Sequence, residues 1–154
     1  MKIRRVTIFV FCLVMLIACS QQKKNDIKVS IVDLEGNEQV LLTQNDIVSY
    51  EWEKHKITIT KSLYNALADI NIYEGYKFKI YFKGAAFVTG NFISAVLSNF
   101  DTTLPIVYFD MENKLFVDKN TLGFEIKCYN CEQDANPLEN KQFYNYLKEN
   151  HLLK

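Results

Sequence analysis

The sequence has 154 residues, of which 18 are basic and 18 are acidic, and 49% are hydrophobic, so it suits one domain with a real core. Lys2, Arg4 and Arg5 lie at the start, so the chain after residue 18 has 15 basic residues, 18 acidic residues and no arginine. Its formal charge of −3 argues against nucleic acid as a partner and against polybasic attraction to anionic lipid.

Residues 1–18 have the pattern of a secretory signal peptide. The basic start precedes the 13-residue run 6–18, which is apolar apart from Thr7. This run is too short for a membrane-spanning helix, which needs about 20 apolar residues. Residues 16–19 read LIAC, a sequence that resembles the lipobox of bacterial lipoproteins. An ordinary signal peptide and an uncleaved anchor are the alternatives.

The resemblance to bacterial lipoproteins implies that Cys19 receives a diacylglyceryl group and that the chain is cut before it. It therefore implies a lipid-anchored protein of the cell envelope that faces outside the cytoplasm and contacts the membrane through Cys19. Because Ser20 rather than aspartate follows the cysteine, the resemblance implies the outer membrane if the cell has one. We expect a short polar linker over 19–26 and a single domain over 27–154.

The domain opens with a predicted β-hairpin. Residues 27–31 alternate in a pattern typical of a half-buried strand. The sequence EGN at 35–37 favours a turn, and residues 38–42 then return as a second strand.

Residues 47–52 predict a third strand, with Val48, Tyr50 and Trp52 on one face. The apolar residues that follow have the opposite parity, so a turn near 53–55 must precede a strand over 56–60. A helix capped by Thr60 or Ser62 is predicted to run to about residue 70. Its apolar face comprises Leu63, Ala66, Leu67 and Ile70.

The clearest strand pattern lies at 76–82. Phe78 and Ile80 alternate with Lys77 and Lys79, so the two apolar side chains are predicted to face the core and the lysines the solvent. A turn at Lys83-Gly84 leads to a partner strand over 85–89. Residues 90–100 fit either a strand or a helix, and the bracketing Gly90 and Asn99 favour a strand.

Three further strands are predicted at residues 106–109, 115–117 and 123–129. Asn136 followed by Pro137 and by Glu139 is a strong helix start, so we expect a helix to about residue 150. Because strands and helices do not alternate regularly, the order predicts an α+β fold. The expected architecture is a mostly antiparallel sheet with one internal helix and one C-terminal helix.

Residues 47–109 resemble a group of small exported bacterial lipoproteins. The matching segments are YEWE at 50–53, ITIT at 57–60 and FKIYF at 78–82, followed by the glycine turn at Gly84. A fainter similarity links the strand–turn–strand pattern to the head part of the periplasmic region of the SecDF translocation proteins. These resemblances imply a fold and carry no catalytic residue.

Cys128 and Cys131 are the two thiols that remain if Cys12 leaves with the signal peptide and Cys19 is lipidated. An even pair in an exported protein predicts a disulfide. Two unpaired thiols and a metal or redox site are the alternatives, although zinc needs four ligands and a redox cysteine favours a helix N-terminus.

The other polar candidates are predicted to be solvated surface. No nucleophile motif accompanies the two histidines, which we expect in exposed loops. Glu51 and Glu53 would share one strand face, a possible acid–base pair that we interpret as solvent-facing. This set of predicted surface residues comprises His55, His151, Glu51, Glu53, Asp110, Glu112 and Asp118.

The aromatic residues give the main indication of function. Tyr73, Tyr81 and Tyr108 are candidates for an outer face that contacts a partner, since tyrosine is enriched at interfaces. The sequence therefore favours a lipid-anchored protein with a protein-binding or structural role, without catalytic residue, metal or cofactor. The alternatives are a thiol–disulfide oxidoreductase using Cys128 and Cys131, and a carrier of a small apolar ligand held between sheet and helices.

Overall fold

The computed structural model describes residues 25–67, 69–94, 104–109, 114–115, 117–128 and 136–154. Its strands are β1 (Ile27–Val32), β2 (Glu38–Thr43), β3 (Ile47–Glu51), β4 (Lys56–Ile59), β5 (Lys77–Phe82), β6 (Ala85–Ser94), β7 (Ile106–Phe109) and β8 (Gly123–Glu125). Its helices are α1 (Lys61–Leu67) and α2 (Lys141–Glu149), and 3-10 turns lie at Gln44–Asp46, Trp52–Lys54 and Pro137–Glu139. The predicted α+β class is confirmed.

The larger sheet has five strands in the order β2-β1-β5-β6-β7. The two predicted hairpins, β1–β2 and β5–β6, are both present and antiparallel. β1 also pairs antiparallel with β5, so the two hairpins join into a continuous sheet. β7 joins parallel to β6, which makes this sheet antiparallel in all but its last pair.

Between β1 and β5 the strand pattern places the apolar residues as predicted. Ile27 lies opposite Phe82, and Val29 lies opposite Ile80. Phe78 and Ile80 are buried, whereas Lys77 is exposed on the other face. The prediction for this strand is therefore confirmed.

β6 settles the ambiguous region as far as residue 94, because the strand runs continuously from Ala85 to Ser94. Residues 95–100 lie outside the described part. Gly90 is required where β6 approaches β7, since a Cβ there would collide with the Pro105 carbonyl oxygen and the Phe78 ring. This close approach lets β7 lie beside β6.

The smaller sheet has three strands in the order β3-β4-β8. The predicted face of β3 is wrong, because the pairing shifts register between Ile47 and Ser49. Ile47 and Tyr50 are buried, while Val48 is 55% exposed. Trp52 lies in the following 3-10 turn rather than in the strand. The bulge therefore changes which side chains face the core.

The two sheets meet at Ile106 and Lys127. The Ile106 amide donates to the Lys127 carbonyl at 2.7 Å, and the reverse hydrogen bond is 2.8 Å long. The regular part of the predicted last strand is thus shorter than expected and ends at Glu125. Of the strand predicted at 115–117, the described residues contain one bridge, between Leu115 and Phe109.

Both helices differ from the prediction at one end. The Thr60 hydroxyl accepts from the Leu63 amide at 3.3 Å, as expected of a cap, but α1 ends at Leu67 rather than near residue 70. α2 begins at Lys141, because the Asn140 side chain accepts from the amides of its first turn and its own backbone is extended. The predicted start at residue 136 is therefore a separate 3-10 turn.

α2 packs on the inner face of the larger sheet through Phe143, Tyr146 and Leu147, which are all buried. The Phe82 ring lies 5.4 Å from the Phe143 ring and 5.1 Å from the Tyr146 ring, both edge-on. Ring contacts of this geometry stabilise the fold beyond the contribution of buried apolar area. Aromatic packing therefore fills this part of the interface between sheet and helix.

Candidate functional site

The chain enters the described domain at one end of the larger sheet, which we name the linker end (Asp26, Gln44 and Lys83). The Asp26 carbonyl accepts from the Lys83 amide at 2.7 Å, and the Asp26 amide donates to Gln44 Oε1 at 3.2 Å. The Tyr146 hydroxyl donates to the same Gln44 oxygen at 2.6 Å. Strand, turn and α2 together fix the point where the chain enters the described domain.

The opposite end of the same sheet carries exposed apolar side chains, and we name it the apolar end (Leu34, Tyr73 and Tyr76). Leu34 is 66% exposed and Tyr73 45%, while Tyr76 is half-buried. Large apolar side chains that gather at one place on a surface are a feature of binding sites, whereas single ones are ordinary.

Local contacts hold the apolar end together. The Tyr73 and Tyr76 rings lie 5.5 Å apart in an edge-on arrangement. Gly75, at φ +88°, leaves room for Leu34, since a Cβ there would lie 2.8 Å from Leu34 Cδ2. The sequence EGY at 74–76 therefore builds a turn that brings the β1–β2 loop against the tyrosines.

Sheet pairing places another exposed apolar residue, Leu104, away from this end. Ile106 lies opposite Asn91 in the parallel pair, so Leu104, two residues earlier, is level with Thr89, and Thr89 lies opposite Lys79 near the middle of β5. Because β6 separates β7 from β5, Leu104 does not belong to the apolar end.

Acidic groups border the apolar end. Partial burial, and then the nearby carboxylates of Asp33 and Glu35, raise the pKa of Tyr76. The Asn37 side chain donates to Asp33 at 2.9 Å, and this hydrogen bond lowers the pKa of Asp33. At neutral pH the tyrosine is therefore a hydroxyl donor next to carboxylates.

Of the three predicted partner-contact tyrosines, Tyr73 belongs to this surface. The Tyr81 hydroxyl donates to Glu38 at 2.8 Å, and the Lys28 ammonium lies 3.9 Å from the Tyr81 ring centre. Several contacts lower the pKa of Glu38 to about 2; the hydrogen bond from Tyr81 is the largest cause, and Lys79 also contributes. Tyr108 is half-buried on β7, with the Lys127 ammonium 5.5 Å from its ring centre. The structure therefore does not bring the three together.

His55 is buried, contrary to the predicted exposed loop position, with 9% of its surface accessible. The 3-10 turn Trp52–Lys54 reverses the chain, and His55 ends it in the left-handed conformation, at φ 46°. His55 Nδ1 lies 3.0 Å from the Tyr50 hydroxyl, and Nε2 lies 3.3 Å from Glu139 Oε1. Sequence reasoning missed this contact because turn geometry, which alternation does not report, brings the three residues together.

The protonation of this cluster follows from its surroundings. Burial lowers the pKa of His55, although Glu139 opposes that shift. A neutral imidazole that donates from Nε2 to the carboxylate must accept at Nδ1, so the Tyr50 hydroxyl is the donor there. Burial, with a smaller effect of Glu139, raises the pKa of Tyr50. Tyr50 is only 2% exposed, so a substrate would not reach its hydroxyl, and the cluster is structural.

Among the described residues, the structure does not bring the remaining polar candidates together. Glu53 lies in the 3-10 turn, so the predicted shared strand face with Glu51 is wrong, and Glu51 pairs with Lys54 at 2.6 Å. Asp118 accepts from the Asn120 amide at 2.9 Å. Asp110 and Glu112 lie outside the described residues, and His151 is exposed. The described ranges contain no group of three or more metal-ligating His, Cys, Asp or Glu residues.

Cys128 is half-buried immediately after the bridge residue Lys127. The residues that follow it, 129–135, lie outside the described part of the chain, so the helix N-terminus that the oxidoreductase alternative requires stays untested. Cys131 and Cys19 lie outside the described part of the chain. The disulfide and the lipidation therefore stay predictions.

Within the described ranges, no helix is long and apolar enough to span a membrane. Comparison of the chain with protein-family models, with curated proteins and with solved structures finds no match. The resemblances of residues 1–19 and 47–109 thus stay predictions, and function must be argued from the surface itself.

Proposed function

We propose that the protein is a lipid-anchored component of the cell envelope whose α+β domain binds a protein partner through the apolar end. The single observation that carries this proposal is the position of the apolar end on the larger sheet. It lies at the end of β1 remote from the linker end, where Val32 pairs with Lys77, while Ile27 pairs with Phe82 at the other.

This arrangement suits a tethered binding domain. The lipobox-like sequence at 16–19 supports an anchor ahead of the linker. The six residues of β1 separate the two ends by about 17 Å at about 3.3 Å per step. A membrane attached on the linker side would therefore leave the apolar end facing away from the bilayer, open to another envelope protein.

The composition of the apolar end favours a protein surface as the occupant. Tyr73 and Tyr76 combine a large apolar ring with a hydroxyl donor, a combination enriched in interface hot spots. Asp33 and Glu35 border the rings, so the complementary surface would be apolar at its centre and basic at its rim.

The anchor is tested by Cys19→Ala. We expect the parent protein to incorporate labelled palmitate and to sediment with membranes, and the variant to do neither. Membrane retention of the variant together with absence of label in both proteins would refute the lipoprotein part of the proposal. The substitution leaves residues 1–18 unchanged, so export of the variant serves as the internal control.

The partner surface is tested with photo-reactive amino acids placed at Leu34, Tyr73 or Val48 in the full chain in intact cells. Val48 is the matched control, since it is apolar and 55% exposed but lies on the smaller sheet. We expect Leu34 and Tyr73 to give the same discrete cross-linked species and Val48 to give none.

The same cross-linked species should disappear when Tyr73→Ser is combined with a probe at Leu34, and persist with Val48→Ser. Equal cross-linking from Val48, or a product at Leu34 that Tyr73→Ser leaves unchanged, would contradict a specific partner site at the apolar end.

A further inference from the structure

A second surface feature lies where the two sheets separate. A bridge between Ile106, in β7, and Lys127, two residues after β8, joins the two strands at one end. Farther on, Leu115 bridges to Phe109 and Asp118 bridges to Gly123. Leu115 and Asp118 thus each bridge to one of these two strands, and we name the opening lined by residues of both strands and by Val117 and Asp118 the groove.

The groove has a volume of about 480 Å³, which lies in the range of about 300–1,000 Å³ typical of small-molecule sites. Phe124, Val117 and Tyr108 supply apolar lining. Phe124 is buried, so the groove lies directly against the core. A flat apolar body would therefore find complementary surface here.

Three lysines surround this apolar surface. The Lys56 side chain is only 15% exposed, and its ammonium lies 3.4 Å from Asp118. Gly123 allows the Lys56 chain to cross the neighbouring strand, since a Cβ there would lie 2.8 Å from Lys56 Cε. The lining thus holds one cation in a fixed, largely desolvated position.

Lys127 and Lys119 complete the positive lining. The Lys127 ammonium lies 3.8 Å from Glu125 and 5.5 Å from the Tyr108 ring centre. Lys119 is exposed at the rim. With Asp118 and Glu125 counted against the three lysines, the charged lining carries one net positive charge.

We infer that the groove is a binding site for a small aromatic carboxylate. The volume, the apolar lining and the single net positive charge each match one part of such a ligand: its size, its planar body and its one anionic group. This site is separate from the apolar end, and the inference does not depend on the proposed partner.

The test uses 2-naphthoate and its uncharged analogue 2-naphthamide, titrated into the isotopically labelled full chain in zwitterionic micelles. Amide chemical shifts report both affinity and location, and micelles alone give the blank. We expect saturable shifts centred on Tyr108, Phe124 and Glu125, with 2-naphthoate binding at least fivefold more tightly than 2-naphthamide.

The double variant Lys119→Glu/Lys127→Gln should lower the affinity for 2-naphthoate about five- to tenfold and leave 2-naphthamide nearly unchanged. Lys77→Glu is the matched control, because this lysine is exposed on the larger sheet, outside the groove. The affinity of the Lys77→Glu variant for both ligands should equal that of the parent.

Three results would overturn the inference: absence of saturable shifts at the groove, equal affinity for acid and amide, or equal effects of the groove and control variants. Shifts centred on Tyr73 and Tyr76 instead would also overturn it, and would identify the apolar end as the site that accepts the probe. Failure to find a protein partner would leave this test unaffected.

Discussion

The two sheets differ in how regularly the backbone follows a strand pattern. In the larger sheet, β1 and β5 pair over six consecutive residues without a shift, although β1–β2 and β5–β6 each contain one register shift. In the smaller sheet, the register shifts inside β3, and the chain then passes through a 3-10 turn into the left-handed His55. The β1–β5 region buries mainly apolar side chains, with Ser30 as its buried polar residue, whereas the smaller sheet buries the hydrogen-bonded pair Tyr50 and His55.

The irregular backbone of the smaller sheet brings residues that are distant in sequence into contact. His55 connects Tyr50, in the β3–β4 hairpin, with Glu139, in the segment before α2. The Tyr50 backbone also accepts and donates hydrogen bonds with Lys154 and Leu152, at 2.9 Å and 2.6 Å. The irregular part of the smaller sheet therefore holds the residues just before and just after α2, while α2 itself packs on the larger sheet.

The largest effect should come from the regular sheet. Phe78→Ala removes a ring that is 1% exposed and lies 5.7 Å from the Phe92 ring. We expect it to lower the free energy of unfolding by about 3–5 kcal/mol, and Ile80→Ala by about 2–5 kcal/mol.

Lys77→Ala is the control for both substitutions, because this lysine lies on the same strand with its side chain exposed. It should change the free energy of unfolding by less than about 0.5 kcal/mol. Denaturant titrations check all three values, and equal small changes would contradict the assigned faces of β5.

A smaller effect is expected in the polar cluster. Tyr50→Phe keeps the ring but removes the hydroxyl that donates to His55, which leaves a buried acceptor without its partner. We expect a loss of about 1–3 kcal/mol in the free energy of unfolding. Tyr73→Phe, at an exposed tyrosine, should cost under about 0.5 kcal/mol, and equal losses would show that the Tyr50 contact contributes nothing.

The same cluster should make stability depend on pH. Because the pKa of His55 is lowered in the folded protein, the unfolded chain binds the proton more readily near its ordinary value of 6.5. Its contribution is therefore complete above about pH 7 and is lost as the pH falls through 6.5 towards the folded pKa.

Denaturant titrations at pH 7.5 and pH 5.5 test this sign. The parent should be less stable at the lower pH, and His55→Gln should show a smaller difference. The carboxylate of Glu38, with its pKa lowered to about 2, acts in a separate window, since its contribution is lost below about pH 4.5. An unchanged difference in the variant would exclude His55 as the titrating group.

The sequence predicted the regular sheet well because alternation has a direct physical cause there. Phe78 and Ile80 are two residues apart on a pleated strand, so both must point to one side. The position of His55 could not be read in this way, since it depends on a 3-10 turn whose local sequence is compatible with an exposed loop. The turn at 74–76 could be predicted from Gly75, but its contact with Leu34 depends on a distant hairpin.

The parallel strand β7 and the groove beside it were also beyond sequence reasoning. The strand pattern predicts that residues 106–109 are extended, but it contains no information on which neighbour they choose or in which direction. The close approach at Gly90 is the nearest local signal, because a glycine inside a strand often marks another backbone nearby.

The smallest effect should be at Val48, and it distinguishes a bulged β3 from a regular one. In a regular strand Val48 would share the buried face of Tyr50, so Val48→Ser would cost several kcal/mol. The register shift instead leaves Val48 55% exposed and Ile47 only 7% exposed. We therefore expect Val48→Ser to change the free energy of unfolding by less than about 0.5 kcal/mol, and Ile47→Ala to cost about 2–5 kcal/mol. The reverse order in denaturant titrations would show that β3 is regular and that the buried set of the smaller sheet is wrong.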